Sequence, residues 1–186
     1  MSLNGSVTDQ QQWSSGYFDD EAKAHATAML DEADLFLLGR RTYDAFAPRW
    51  PQIKGDRYFD AINAKAKLVF SNTLTEVGWN ATLVTRDPVA EVRALRAGSG
   101  RAILTYGLTT LSRALLAAGL VDELHLSIYP VIADGARAFE GLEADAGRLA
   151  LVDVHRYKSG VVQLTLVPQR AEGGVHAQVR LRISRR

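Results

Sequence analysis

The sequence predicts an α/β domain whose largely parallel sheet gains antiparallel strands toward its C-terminal end. Three observations predict it. Short apolar runs alternate with helix-permissive segments through the first half, and the last third reads mostly as strand. A third is the punctuation, with Gly39, Gly98, Gly107 and Gly119 closing successive segments. At 186 residues the chain fits one domain, residues 1–186, with a sizeable core.

Each element has its own reason. Ser2 to Gly16 is mostly polar, carries Asn4-Gly5 and Ser14-Ser15-Gly16, and reads as loop. Asp19 to Ala33 is a helix: Asp19, Asp20 and Glu21 suit its first turn, and Ala22, Ala26, Met29 and Leu30 give an apolar face. Leu35 to Leu38 is a buried strand that stops at Gly39, and a helix follows to Phe46, ended by Pro48 and Pro51. Tyr58–Ala64 reads as helix, Lys67–Ser71 and Ala81–Val84 as strands, and Val89–Ala97 as a helix closed by Gly98. Arg101–Thr105 is a strand running to Gly107, Thr109–Ala118 a helix stopped by Gly119. Glu123–Val131 is a long strand with Pro130 near its end. Leu149–Tyr157 and Val161–Val167 form a hairpin around Lys158-Ser159-Gly160, and Val175–Ser184 alternates like a further strand.

Composition excludes several functions. Lys and Arg number 22 against 21 Asp and Glu, so the net charge of +1 argues against a nucleic-acid surface. With no cysteine there is no thiolate catalysis and no Cys–zinc site. His25, His125, His155 and His176 are scattered without ligand spacing, so no metal is expected. No apolar run approaches a membrane span and no signal pattern opens the chain, which points to a cytoplasmic protein without a membrane partner. The pair Asp122-Glu123 reads as the cap of the turn after Gly119.

Ligands of parallel sheets sit at the carboxyl ends of the strands. Three such ends stand out: Gly39-Arg40-Arg41-Thr42, Ser71-Asn72-Thr73 and Gly107-Leu108-Thr109-Thr110. Each offers small or hydroxyl residues, and the first adds guanidinium groups where a helix start leaves unpaired N–H groups. Together they could line one elongated, phosphate-bearing ligand.

These residues also carry a resemblance. LFLLGRRTYDAF (35–46) resembles the strand–GRxT–helix segment of the dihydrofolate-reductase-like fold, and LVFSNTL (68–74) its next strand. Residues 103–139, ILTYGLTTLSRALLAAGLVDELHLSIYPVIADGARAF, resemble one branch more closely: the reductase domain of bifunctional riboflavin-biosynthesis enzymes and the small stand-alone proteins related to it. SLNG, WSSGYFDDE and RYKSGVVQLTLVP match further segments, so the resemblance spans roughly residues 2 to 169.

The resemblance implies a three-layer domain that binds NADPH and reduces a small pterin- or pyrimidine-like heterocycle or a carbonyl. It implies Arg40 at the 2′-phosphate with Ser71 nearby, Thr42 at the pyrophosphate, and Gly107 through Thr110 along the phosphate and nicotinamide-ribose region. Guanidinium plus hydroxyl is indeed what a phosphate monoester needs. It also implies a homodimer, for which Leu124, Leu126, Ile128 and Val131 offer apolar surface. Asn4 and Trp13 fall at the substrate end, and Asp19 and Asp20 are the candidate catalytic acids. The chain departs from the family pattern at Asn4, where SLDG is common, at Asn72, where SRT is common, and at Tyr106, where dihydrofolate reductases carry a second glycine. A ligand-binding protein without chemistry is the competing expectation.

In the family an apolar strand precedes the SLDG-like loop and lies mid-sheet. Residues 171–186 hold an extra strand-like segment, Val175–Ser184 after Gly173-Gly174, that resembles it. Either this segment fills the central slot or it forms an edge hairpin with Val161–Val167.

Overall fold

The computed structural model describes residues 1–141 and 148–169. A short helix, α1 (Gln10–Ser14), runs into a 3₁₀ turn (Ser15–Tyr17), where a loop was expected. Then come α2 (Asp20–Glu32), β1 (Ala33–Gly39), α3 (Arg40–Phe46), a 3₁₀ turn at Pro51, α4 (Arg57–Ala64), β2 (Ala66–Phe70) and β3 (Ala81–Val84). The chain continues through α5 (Pro88–Ala97), β4 (Ala102–Thr105), α6 (Thr110–Ala117), β5 (Leu124–Ile128), β6 (Arg148–Arg156) and β7 (Val162–Gln169). The strand expected over Glu123–Val131 is shorter, ending before Pro130, which has no N–H to give a ladder.

Four strands form a parallel sheet in the order β3-β2-β1-β4, and three form an antiparallel sheet in the order β5-β7-β6. Among the described residues these are two sheets, where one mixed sheet was expected. The segment Val175–Ser184 lies outside the described residues.

β1 is the axis of the parallel sheet. It pairs with β2 on one side and β4 on the other. Its side chains alternate between two cores, as period-two geometry requires. Leu35 and Leu37 pack with Phe70, Val92, Ile103, Leu111 and Leu115, against α5 and α6. Phe36 and Leu38 pack with Ala26, Leu30, Tyr58, Ile62 and Leu104, against α2 and α4. Helices therefore cover both faces, the three-layer arrangement that a doubly buried strand demands. The termini are set locally: the Asp19 carboxylate accepts from Ala22 N–H at 2.9 Å to cap α2, and Asp56 caps α4.

A third, smaller core lies in the antiparallel part, where Leu124 and Leu126 pack with Leu108, Ile128, Phe139, Leu164 and Leu166. Leu124 and Leu126 are thus buried, which corrects their assignment to a free dimer surface. Four exposed apolar residues gather instead on β6, an edge strand among the described residues: Leu149, Leu151, Val152 and Val154; Leu3, Ile53 and Ile132 are exposed elsewhere. The ladder between β6 and β7 slips between Leu151 and Asp153, a bulge in the middle of β6. The expected hairpin closes over Lys158-Ser159-Gly160, with Gly160 at φ +90°.

Phe36 is fully buried at the centre of β1. Phe36→Ala should cost about 3–5 kcal/mol, read as a lowered urea midpoint with the m-value unchanged.

Candidate functional site

Because β2, β1 and β4 are parallel neighbours, their carboxyl ends share one edge. Gly39 sits opposite Phe70, and Leu37 opposite Thr105. The three segments singled out in the sequence follow directly from these ends and so stand side by side.

The first two are bonded to each other. Arg40 Nη1 donates to Thr73 Oγ1 at 2.5 Å, and Thr73 Oγ1 lies 3.3 Å from Ser71 Oγ. Ser71 Oγ also accepts from the N–H groups of Thr73 and Leu74, which folds the turn after β2. A guanidinium and two hydroxyls thus converge at an exposed position. Arg40 Nε also donates to Asp44 one helical turn on, at 3.2 Å. Arg41 and Asn72 are exposed, and Thr42 lies within α3, which Gly39 opens in extended backbone.

The third segment is more committed to its own turn. Gly107 adopts φ +78°, a left-handed conformation that favours glycine. Thr109 and Ser112 form a reciprocal capping box for α6, and Ser112 Oγ donates to Gly107 O at 2.7 Å. Leu108 packs its side chain into the third core, and Thr110 stays exposed. Of Leu108 only the backbone is therefore left for a ligand, beside the exposed Thr110.

Around the end of β5 lies a second concavity, lined by Tyr17, Phe18, Ser127, Tyr129, Tyr157 and Gln163. Side-chain contacts run from its lining residue Phe18 through Tyr58 to Tyr106, which follows β4. Phe18 meets the Tyr58 ring edge-on at 5.0 Å, and the Tyr58 and Tyr106 hydroxyls are 3.4 Å apart. Trp13 stands one ring away, edge-on to Tyr129 at 5.5 Å, with its indole N–H given to Thr8 O.

Asn4 has another task. Its Nδ2 donates to Ala133 O at 3.0 Å, and its Oδ1 accepts from Ala133 N–H at 3.1 Å and from Ser2 Oγ at 2.7 Å. This staples the N-terminal loop to residues 133–136, where Thr8 Oγ1 holds Ala136 N–H. Gly135 passes so close to Thr8 that any Cβ there would collide with its side chain. Asp19 is spent as the α2 cap, and Asp20 is exposed in the first turn.

Sequence reasoning missed a polar cluster that stands beside this concavity and shares Tyr157, Gln163 and Ser127 with its wall. His25, His125 and His155, far apart in sequence, meet with ring centroids 5.9 and 5.6 Å from His25. Tyr157 Oη donates to Gln163 Oε1 at 3.0 Å and lies 3.0 Å from His25 Nδ1. The available signal was polar residues at alternate strand positions, His125 with Ser127 and His155 with Tyr157, where apolar core would be ordinary.

The fold has known relatives. A riboflavin-biosynthesis assignment is carried by a Shewanella sp. PV-4 protein whose structure superposes with TM-score 0.71 at 20% identity, over 91% of this chain and 96% of that one. A pyrimidine reductase-like protein from Corynebacterium diphtheriae gives 0.62 at 18% identity, over 91% and 89%. In sequence, the chain is 30% identical over 143 residues to YyaP, an uncharacterized Bacillus subtilis protein, covering 74% of this chain and 76% of YyaP. Residues 1–163 match the family described as the RibD C-terminal domain. The dihydrofolate-reductase-like architecture, the strand-end segments and this match agree, and the chain belongs to the RibD C-terminal domain family.

Proposed function

We propose that the protein is an NADPH-dependent reductase that delivers hydride to a small heterocyclic or carbonyl substrate. The observation that carries this reading is the convergence of Arg40, Thr73 and Ser71 at the ends of β1 and β2. A charged fork beside two hydroxyls suits a phosphate monoester, the group that separates NADPH from NADH. Gly39 to Thr42 would then follow the pyrophosphate, and the backbone after Gly107 the nicotinamide ribose. The bound cofactor would supply the hydride; the chain supplies position, and the concavity beside β5 would take the substrate. Membership of the RibD C-terminal domain family supports a reductase-type role.

A second reading, ligand binding without chemistry, is favoured by one feature. Asn4 stands where the family pattern commonly has a carboxylate, and its amide is committed to Ala133. Oxidation of NADPH, followed by absorbance with a panel of pterins, pyrimidinones and carbonyls, separates the two readings.

We also propose that the exposed apolar face of β6 seats a second copy of the chain. Among the described residues β6 is an edge strand, and with Leu151 56%, Val152 48% and Val154 52% exposed it is poorly suited to water.

Three outcomes are expected. Arg40→Ala should weaken NADPH by about tenfold or more, the range of one charge-assisted phosphate contact, with NADH little changed; equal losses in a thermal-shift titration would remove Arg40 from the phosphate. Asp19→Ala should lower stability by about 1 kcal/mol through loss of the cap and leave NADPH affinity as it was. Sedimentation should show a dimer at micromolar concentration, converted to monomer by Leu151→Lys; a monomeric wild type counts against the β6 contact.

A further inference from the structure

The polar cluster beside the concavity is a single bonded unit with Gln163 at its centre. Gln163, Tyr157 and His125 are 3%, 3% and 6% exposed. The Gln163 oxygen accepts from Tyr157 Oη at 3.0 Å and from Ser127 Oγ at 3.4 Å. Its nitrogen lies 2.5 Å from His125 Nδ1 and 3.5 Å from His25 Nε2. An amide nitrogen can only donate, so His125 Nδ1 must accept and carry no proton. The Tyr157 proton is spent on Gln163, so His25 Nδ1 must be the donor in its 3.0 Å contact with Tyr157. These contacts are mutually consistent only while His125 is neutral.

We propose that Gln163 sets the hydrogen-bonding polarity of the concavity, and that a proton on His125 turns its amide end for end. A protonated Nδ1–H facing the amide NH₂ would oppose two donors in a buried place, which is costly. Rotating the amide by half a turn restores the bond, with the oxygen now accepting from His125. The NH₂ group then faces Tyr157 and Ser127, whose hydroxyl protons are released from Gln163. Both residues line the concavity. At neutral pH its wall holds its hydroxyl protons inward; at acid pH it offers them to a bound acceptor atom. This makes Gln163 the residue that decides which edge of a substrate the wall can read, and it rests on the reductase reading only in taking the concavity as the substrate's.

Other charged groups face the unit. Glu21 of α2 contacts His155 Nε2 at 3.2 Å, and its carboxyl is held below the usual range first by the Lys158 N–H and then by His155. Glu123, two residues before His125 in sequence, is a further carboxylate close by along the chain. The Met1 ammonium donates to Ser127 O, and burial pushes it down to about 6. Its contribution has the same sign as that of a neutral-locked histidine, so the test compares variants as well as pH values.

The sign follows from linkage. A histidine held neutral in the folded state gives stability that is complete above the unfolded value of about 6.5 and is lost as pH falls below it. One such proton lowers Tm by about 3–5 °C per pH unit for a chain of this size. The experiment follows the histidine Cε1–H resonances and Tm from pH 8 to 5 in the full chain and in Gln163→Glu. In the wild type His125 should titrate below about 6.5. In Gln163→Glu a carboxylate replaces the donor, so His125 should titrate above that value and the acid loss of Tm should shrink or reverse. A wild-type His125 that titrates at or above about 6.5, or identical behaviour in both proteins, overturns the proposal. The wild-type titration decides the matter by itself if the variant does not fold. Neither measurement uses NADPH or substrate, so failure here is distinct from failure of the reductase reading.

Discussion

The parallel pairing of β1 between β2 and β4 is the constraint from which the rest follows. A strand with neighbours on both sides and cores on both faces has no freedom of register, because a one-residue slip would exchange its two faces. Leu35 and Leu37 would meet the pocket built for Phe36 and Leu38. With register fixed, the carboxyl ends of three strands are fixed relative to one another. Arg40 therefore meets Thr73 across 33 residues of sequence without any long-range element devoted to that contact. The candidate phosphate site is a by-product of sheet register, made specific by the residues that happen to follow each strand.

The concavity beside β5 depends on different physics. It is assembled from the N-terminal loop, the end of β5 and the hairpin, and polar contacts hold these parts together. Asn4 binds Ala133 at both ends of its amide, Thr8 binds Ala136, and Tyr157 and Gln163 tie the hairpin to α2 and β5. Such bonds are directional and worth little individually, but each buried one is expensive to break. The parallel layer gives position through packing, and the antiparallel layer gives it through hydrogen bonds.

Much of the parallel layer was legible in the sequence because short apolar runs ending at glycine leave few alternatives. Leu35–Leu38, Lys67–Ser71 and Arg101–Thr105 all coincide with strands, and helices around and between them, α2, α4, α5 and α6, begin at the side-chain caps Asp19, Asp56, Asp87 and Thr109. The split into two sheets was not legible, since strand order is set by tertiary contacts that local patterning does not encode. The short helix at Gln10–Ser14 was hidden in a polar stretch with no apolar face. The strand-end residues were visible as hydroxyl and guanidinium groups after apolar runs. The cluster around Gln163 was not, because its members come from α2, β5, β6 and the hairpin, and each histidine taken singly is unremarkable. Asn4 and Asp19 show the converse: residues that attract notice in sequence and spend their side chains on the backbone.

The bulge in β6 has a consequence for how that strand divides its side chains. Across the ladder, Leu151 faces Leu166, and after the slip Val154 faces Leu164, so both join the side on which Leu124 and Leu126 lie. His155 faces Gln163 and shares the opposite side with His125 and Ser127. In a strand without the extra residue, period two would put Val154 opposite Gln163 and send His155 to the apolar side. One inserted residue thus corrects the phase of an otherwise out-of-step sequence. A single strand can then extend an oily stripe outward on one side and complete a proton-bearing network on the other.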